Sequence, residues 1–428
     1  MLKKQTIFSN KRNNNLFIVE AMLEYFISLL FTGAYFAKIT SYVGMSDALT
    51  GILTSFVTLG STFQVIALFL HNKVPVKRWI TVLHLINQLC FAFIYVVPVI
   101  KVSKTIKTII FIVLLLVAYL FHNVVNSPKI SWYMSFVENK KRGVFTANKE
   151  IVSLIGGIIF TYAIGFVIDG FEAIGEIETA FIIASIVLFI LAIGHTIVLL
   201  FTQEKPTENF HKEPMKVVFK TVLTNKNILK VIGFFCISTI ASSFCTPFYG
   251  TFQNKELGLS ITYITTIIMI SNIARLLLTK FFGKLADKKS FIFVTLITGI
   301  MVMLSYSVVI FATPANGMII FAIYYLLTNV AQCGVSSASI NLIYDEIDPS
   351  LRTDAYAIKN AIIGVVGFTT TTLVAPLVEY IQSNNGITLF GANLYAQQFI
   401  SIIATIIKLI SLFYIFIFWK IKPKKKKD

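Results

Sequence analysis

The chain of 428 residues has few charged residues and few cysteines. Charged side chains make up 13% of it, whereas a soluble globular domain has about 25%. Its four cysteines lie singly inside apolar runs, without the spacing of a zinc site or a disulfide framework. The basic start, "MLKKQTIFSNKRNNN", has no signal-peptide core, so the first apolar run is expected to remain as a membrane helix.

Several chemical motifs are also missing. No G-x-x-x-x-G-K-[ST] loop occurs, so ATP-driven transport by this chain is not indicated. The five histidines are scattered and form no H-E-x-x-H motif, so a metal-dependent membrane enzyme is not predicted. We therefore expect no catalytic residues, no metal and no cofactor.

Long apolar runs are abundant instead, since 56% of the residues are hydrophobic. About 20 apolar residues cross a bilayer as a helix, and runs this long are not barrel strands. The sequence predicts twelve spans, at roughly 16–43, 47–70, 79–100, 105–136, 144–169, 178–202, 228–254, 261–282, 291–312, 316–344, 354–381 and 396–419.

The lysines and arginines are distributed unevenly around these spans. With twelve spans, both termini and every even-to-odd loop share one side, which carries 27 of the 37 basic residues. The other side carries Lys101, Lys104, Lys107 and Lys255. The positive-inside rule then predicts that both termini are cytoplasmic. It also accounts for the net charge of +17 without a nucleic-acid partner.

The longest connection divides the chain into related halves. It separates six spans in 1–202 from six spans in 228–428, with a basic cytoplasmic linker at 203–227. A constant offset of 210 residues maps Arg142 to Arg352. Such an offset predicts an internal duplication.

Two six-span halves joined by a basic linker resemble the major facilitator superfamily, over nearly the whole chain. The stretch "GKLADKKS" at 283–290 is similar to the G-x-L-x-D-K/R-x-G-K/R loop of that family, although Ser290 departs from it. The corresponding stretch of the first half, "HNKVPVKR", lacks the Gly and Asp. The resemblance implies an all-α membrane protein of twelve transmembrane helices in two six-helix bundles related by pseudo-two-fold symmetry.

The same stretch suggests a cytoplasmic gate. Gly283 is expected to permit a tight turn. Asp287, beside Lys288, can accept hydrogen bonds from an arginine. The family resemblance implies that it latches the halves near Arg142, with Arg352 as the repeat-related counterpart. An ordinary basic turn is the alternative.

Ionisable and polar residues inside spans are candidates for transport. The family resemblance implies that spans 1, 4, 7 and 10 line a central cavity, which places Glu24 opposite Lys129. Glu24 is either a proton-coupling carboxylate or the static partner of Lys129, and Glu20 is expected to form a cytoplasmic-side salt bridge. The predicted substrate or coupling residues are Glu24, Tyr35, His122, Asn126, Lys129, Trp132, Tyr249, Arg275 and Gln332.

These residues predict a secondary active transporter that moves a small polar or anionic organic solute by alternating access, with proton coupling through Glu24. We expect it to work as a monomer in the bilayer of the cell (inner) membrane. Two alternatives remain open, namely a multidrug/proton antiporter and a non-transporting membrane sensor.

The predicted topology can be tested by labelling. Single cysteines placed at Lys4 and Lys426, in a background without the native cysteines, should react with a membrane-impermeant thiol reagent only after the cells are opened. A cysteine at Lys104 should react in intact cells and serves as the control. Labelling of the two ends from opposite faces would contradict the twelve-span topology.

Overall fold

The structure is a computed structural model, which describes residues 2–64, 76–137, 142–204, 215–344, 352–389 and 391–418. The helices are, in chain order, α1 (Leu2–Leu29), α2 (Gly33–Val43), α3 (Asp47–Thr54), α4 (Phe56–Thr62), α5 (Val76–Ile94), α6 (Lys104–Met134), α7 (Arg142–Ala173), α8 (Ile177–Phe201), α9 (Met215–Thr224), α10 (Lys226–Cys245), α11 (Tyr249–Thr251), α12 (Ile261–Lys288), α13 (Phe291–Val309), α14 (Gly317–Tyr344), α15 (Arg352–Ser383) and α16 (Ala396–Phe418). A short antiparallel hairpin, β1 (Ile387–Leu389) and β2 (Ala392–Leu394), precedes α16.

Most of these helices are long and apolar enough to cross a membrane. Within the described ranges nine helices meet that requirement, and ten do if α1 and α2 count as one bent span. The second predicted span begins as α3 and α4 and continues outside the described residues. The third corresponds to α5, which has 19 residues.

The chain packs as two compact units. The first comprises Met1–Met45 and Phe63–His211, and the second comprises Ser46–Thr62 and Lys212–Asp428. The first unit has a buried core in which Phe17 packs edge-on against Trp132 at a centroid distance of 5.3 Å. The second unit has a buried core that includes Val222, Ile232 and Ile358.

The first span is not the uninterrupted helix that its apolar run predicts. It bends by 45° between α1 and α2, where Gly33 takes a φ of 54°. Residues with a side chain rarely adopt this left-handed conformation, so glycine is the residue that allows the break. The break frees backbone carbonyls, and the buried Tyr95 hydroxyl donates to the carbonyl oxygen of Leu30 at 2.9 Å.

The seventh span is also interrupted. Helix α10 ends at Cys245 and is followed by a 3₁₀ turn over Thr246–Phe248 that contains Pro247. A proline lacks the N–H that would continue the helix, which explains why the regular helix stops here. A single π-helical turn over Phe252–Glu256 then completes the segment.

The predicted turn at Gly283 is wrong, because this residue lies inside α12 and is not among the glycines with positive φ. Helix α12 continues to Lys288, and the chain turns at Lys289 and Ser290 instead. The hydroxyl of Ser290 accepts a hydrogen bond from the N–H of Phe293 and caps the next helix, α13. The serine that departs from the family loop is therefore the residue that starts the following span.

The segment Ser46–Thr62 is held in the second unit by close backbone packing. Gly364 on α15 faces this segment so closely that a Cβ atom there would lie 2.3 Å from Ser61 Oγ and 2.5 Å from the carbonyl oxygen of Thr58. Ser61 Oγ also donates to the carbonyl oxygen of Asn360 at 3.0 Å. Small residues permit such close helix contacts within a membrane.

These contacts predict different effects of two glycine-to-alanine substitutions on the thermal unfolding temperature. Gly364→Ala should lower the thermal unfolding temperature, since overpacking of a close contact costs about 1–3 kcal/mol. Gly283→Ala should leave it unchanged or raise it, because nothing lies within 4 Å of the new methyl group and alanine favours a helix by about 1 kcal/mol. Thermal unfolding of both variants in detergent measures the difference. Equal destabilisation by the two substitutions would contradict the packing described here.

Candidate functional site

Two carboxylates lie on one face of α1. Glu20 and Glu24 are four residues apart, and side chains at this spacing are neighbours on a helix surface. Glu20 is 1% exposed, whereas the Glu24 side chain is 20% exposed. The salt bridge predicted for Glu20 is present, with Lys129, and it is buried. Its position on the cytoplasmic side stays a prediction.

Helix α6 supplies the cation for both carboxylates. The ammonium of Lys129, which is buried, donates to Glu20 Oε1 at 2.9 Å and to Glu24 Oε2. His122 is seven residues earlier on the same helix, so it lies two turns away on nearly the same face. Its Nδ1 lies 3.3 Å from Glu24 Oε1.

Two further histidines approach the carboxylates from other helices. His195 on α8 places Nε2 2.9 Å from Glu20 Oε1. His84 on α5 places Nε2 3.6 Å from Glu24 Oε1. Four helices of the first unit thus converge on one group of side chains. We refer to it as the carboxylate–histidine cluster, and its members are Glu20, Glu24, His84, His122, Lys129 and His195.

The formal charges of this cluster do not cancel when its histidines are neutral. Two carboxylates carry two negative charges, and the single ammonium of Lys129 carries one positive charge. Charges in a low-dielectric interior interact more strongly than in water, and each is costly to bury without a partner. The cluster is therefore suited to taking up one more positive charge.

A small cavity adjoins the cluster. It has a volume of about 70 Å³, which is room for a few water molecules because one water needs about 10–15 Å³. The residues that line it are Glu20, Ala21, Glu24, Asn126, Lys129, Ile130, Tyr133 and Lys149. The carboxylates of the cluster can therefore exchange with small polar species through this cavity.

The structure brings four of the predicted site residues together. Glu24, His122 and Lys129 belong to the cluster, and Asn126 lines the cavity beside it. Helix α6 continues through Pro128 between Asn126 and Lys129 without a break in its helical assignment.

Two predicted residues of the first unit are engaged elsewhere. Trp132 is buried and donates from Nε1 to the carbonyl oxygen of Gln203 at 2.9 Å. Tyr35 is buried and its hydroxyl donates to the carbonyl oxygen of Thr161 at 2.5 Å. Both contacts join one helix of this unit to a neighbouring segment.

The remaining cavity candidates lie in the second unit. Tyr249 is buried, with its hydroxyl 2.7 Å from Ser401 Oγ. Arg275 on α12 is half-buried, and its carbonyl oxygen accepts a hydrogen bond from the thiol of Cys333. Gln332 on α14 is exposed. A role of these three residues in binding a solute stays a prediction.

The predicted cytoplasmic gate is described only in part. Gly283 and Lys288 lie on α12, and both are exposed. The side chains of Asp287, Arg142 and Arg352 lie outside the part of the chain whose side chains are described. The latch between Asp287 and Arg142 therefore stays a prediction.

Sequence reasoning missed His84 and His195. Each histidine lies inside a long hydrophobic span. The sequence "LINQLC" follows His84, and the sequence "TIVLLF" follows His195. A buried histidine in such a stretch needs a polar partner. This requirement indicates that each histidine has a polar partner inside the protein. The sequence does not show that both histidines lie near the same two carboxylates.

The sequence matches the model of one known protein family. The sequence profile of the Major Facilitator Superfamily matches residues 16–372. The chain belongs to this superfamily. It is a secondary active transporter of small solutes, as the sequence analysis predicts. Comparison with curated protein sequences finds no match.

Solved structures share the fold at low sequence identity. The nucleoside transporter NupG has a TM-score of 0.69 and 13% identity, over 96% of this chain and 99% of that one. The POT family transporter PepTSo has a TM-score of 0.71 and 11% identity, over 94% and 97%. A D-xylose-proton symporter has a TM-score of 0.69 and 14% identity, over 97% and 98%. These likenesses, together with the family match, confirm the predicted twelve-helix fold.

The cluster predicts a strong effect of removing its cation. Lys129→Met should destabilise the protein by roughly 3–5 kcal/mol, because it leaves two buried carboxylates without their partner. Lys149→Met is the matched control, since its ammonium lies 5.3 Å from the centre of the Tyr133 ring, a contact that contributes about 0.5–1 kcal/mol when exposed. Thermal and denaturant unfolding in detergent measure both changes.

A double variant tests whether the unpaired carboxylates cause the loss of stability in Lys129→Met. Adding Glu24→Gln to Lys129→Met should restore part of the lost stability, because one of the unpaired carboxylates becomes neutral. Equal stability of the Lys129→Met and Lys149→Met proteins would show that the buried ion pairs do not matter.

Proposed function

We propose that this protein transports a small polar or anionic organic solute by alternating access and that a proton bound at Glu24 couples to this transport. The observation that carries the proposal is the position of Glu24. Its side chain is partly exposed beside the cavity, whereas its ion-pair partner Lys129 is buried. Glu24 is therefore the member of the acidic pair that an incoming cation can reach.

The character of the solute follows from the cavity lining. Lys149 and Asn126 offer hydrogen-bond donors at this opening, where Glu20 and Glu24 already accept from Lys129. Lysine ammonium groups have three donors and no acceptor, so they favour solutes with carboxylate, phosphate or hydroxyl oxygens. This lining favours a polar or anionic solute over the apolar compounds of the multidrug alternative.

The solved structures support this solute class only broadly. Their names refer to nucleosides, to peptides in the POT family, and to D-xylose with a proton. Identities of 11–14% indicate a shared fold and leave the substrate open. The choice of a polar or anionic solute therefore rests on the side chains of this chain.

The location and orientation proposed for the protein rest on its charges. The excess of lysine and arginine in the loops on one side supports cytoplasmic termini in a cell (inner) membrane. We further propose that a monomer is sufficient for transport. The bundles predicted at 1–202 and 228–428, with a linker at 203–227, remain the proposed division of the chain into its two repeats.

A transport assay tests the role of Glu24. The solute is first identified by screening a metabolite library for compounds that raise the unfolding temperature of the purified protein. In proteoliposomes, Glu24→Gln should then abolish accumulation of that solute under an imposed proton gradient, because the anionic partner for the coupling cation is lost. Exchange of labelled for unlabelled solute without a gradient should continue.

Glu178→Gln is the matched control. Glu178 is also a carboxylate of the first unit, but it accepts from the exposed Tyr42 hydroxyl at 2.8 Å and lies outside the cluster. This variant should keep both activities. Gradient-driven accumulation that survives Glu24→Gln would reject the coupling role of Glu24, and uptake of no compound by the wild-type protein would reject solute transport.

A further inference from the structure

Two carboxylates and two imidazoles of the carboxylate–histidine cluster are arranged around one point. One oxygen from each of Glu20 and Glu24 and one ring nitrogen from each of His84 and His195 all lie within 4.8 Å of one another. Imidazole nitrogen and carboxylate oxygen are the ligands of zinc and related divalent ions. Four such groups match the coordination number of a tetrahedral site.

The unsatisfied state of His84 points to a missing ligand. Its side chain is completely buried, and neither of its ring nitrogens has a hydrogen-bond partner among the described residues. Its Nε2 nevertheless faces Glu24 Oε1 at 3.6 Å, which is too long for a hydrogen bond. The buried Nδ1 of His195 also lacks a partner within the described part of the chain. A metal ion between these groups would give His84 the partner that it lacks.

The charges of the cluster favour the same kind of ligand. The carboxylates carry two negative charges, and the structure places one ammonium group, that of Lys129, between them. A divalent cation in the position of this ammonium would neutralise both carboxylates. Lys129 thus occupies the position that a metal ion would take.

We propose that the cluster binds one divalent first-row transition metal ion through Glu20, Glu24, His84 and His195, in exchange for the ammonium of Lys129. With metal–ligand bonds of about 2.1 Å, tetrahedral ligand atoms lie about 3.4 Å apart. Since no two of the four ligand atoms lie more than 4.8 Å apart, an inward movement of at most about 1 Å per group brings them to this spacing. Side-chain rotations of this size require no movement of the helices.

The cavity beside the cluster can accommodate the displaced ammonium of Lys129. Lys129 and Asn126 line the cavity of about 70 Å³ beside the cluster. A lysine side chain has a flexible stem of four carbons, and its ammonium is strongly hydrated. Lys129 can therefore leave the carboxylates and keep its charge in contact with water and with the Asn126 amide.

The imidazoles select the class of metal. Sodium, magnesium and calcium ions prefer sites composed of oxygen ligands. A site with two imidazoles and two carboxylates instead suits Zn²⁺, Co²⁺, Ni²⁺ and Fe²⁺. The proposal is therefore restricted to transition metals and excludes the common alkali and alkaline-earth ions.

Cobalt provides a direct test with the full-length protein. The protein is purified in detergent with a tag that contains no histidine, treated with a chelator, and titrated with Co²⁺. We expect one equivalent to bind and to give the intense visible absorption of four-coordinate Co²⁺, and we expect Zn²⁺ to abolish this absorption. Titration with Mg²⁺ in large excess should not displace the cobalt.

Histidine variants locate the site. His84→Asn and His195→Asn should each weaken Co²⁺ binding by roughly tenfold or more, since each removes one of four ligands. His122→Asn is the matched control, because His122 also contacts Glu24 but is not one of the four ligands. It should weaken Co²⁺ binding less than either ligand variant does, because it removes a partner of a ligand and leaves all four ligands in place. Gel filtration establishes that each variant is folded, and Glu20→Gln replaces a histidine variant that is not.

Removal of Lys129 should strengthen Co²⁺ binding, whereas removal of a histidine ligand should weaken it. Lys129→Met should bind Co²⁺ roughly tenfold more tightly than the wild type, or tighter still, because the competing cation is gone. Lys149→Met, which changes the other lysine of the cavity, should have a smaller effect. Weaker binding in Lys129→Met than in Lys149→Met would overturn the exchange.

The outcomes of these titrations are separate from those of the transport assay. Absence of stoichiometric Co²⁺ binding, or equal losses in the His84, His195 and His122 variants, would overturn the metal site. Solute uptake in proteoliposomes would stand in that case. Conversely, bound Co²⁺ in a protein that takes up no solute would support the metal site and reject the proposed solute transport.

Discussion

The contact between the Lys129 ammonium and the carboxylates of Glu20 and Glu24 is the interaction on which the first unit depends. It joins α1 to α6 inside a region that is otherwise apolar. Its loss would leave both carboxylates without their cation, and desolvation of an unpaired charge is costly. A buried ion pair still requires hydrogen-bond partners for its free lone pairs, and His195 Nε2, which lies 2.9 Å from Glu20 Oε1, supplies one of them.

The second unit buries lysines in a different way. Lys359 lies over the rings of Phe235 and Tyr356, at 4.6 and 4.4 Å from their centres. Lys408 donates to Ser238 Oγ at 3.1 Å. Aromatic faces and hydroxyls stabilise a cation less than a carboxylate does. In the first unit, by contrast, two carboxylates share one buried lysine, which is why we place the cation there.

Sequence patterns predicted the all-α class, the superfamily and the pairing of Glu24 with Lys129. They succeeded because hydrophobic run length and loop charge depend on the bilayer itself. The breaks at Gly33 and Pro247 were missed, since an apolar run does not show where its helix bends. Gly283 was misjudged because a glycine beside lysines suggests a turn, although the chain turns only after Lys288. His84 and His195 were not placed in the site, because nothing in one sequence shows which faces of four helices meet.

The bend at Gly33 divides the first span into two helical segments. The segment Leu2–Leu29 carries the acidic pair and contacts α7, where Phe26 lies against Gly156. The segment Gly33–Val43 carries Tyr35, whose hydroxyl donates to the Thr161 carbonyl oxygen of the same helix. The Tyr95 hydroxyl donates a hydrogen bond to the Leu30 carbonyl oxygen that the bend leaves without a helical partner. The first span therefore changes direction at a point where both of its segments stay packed against α7.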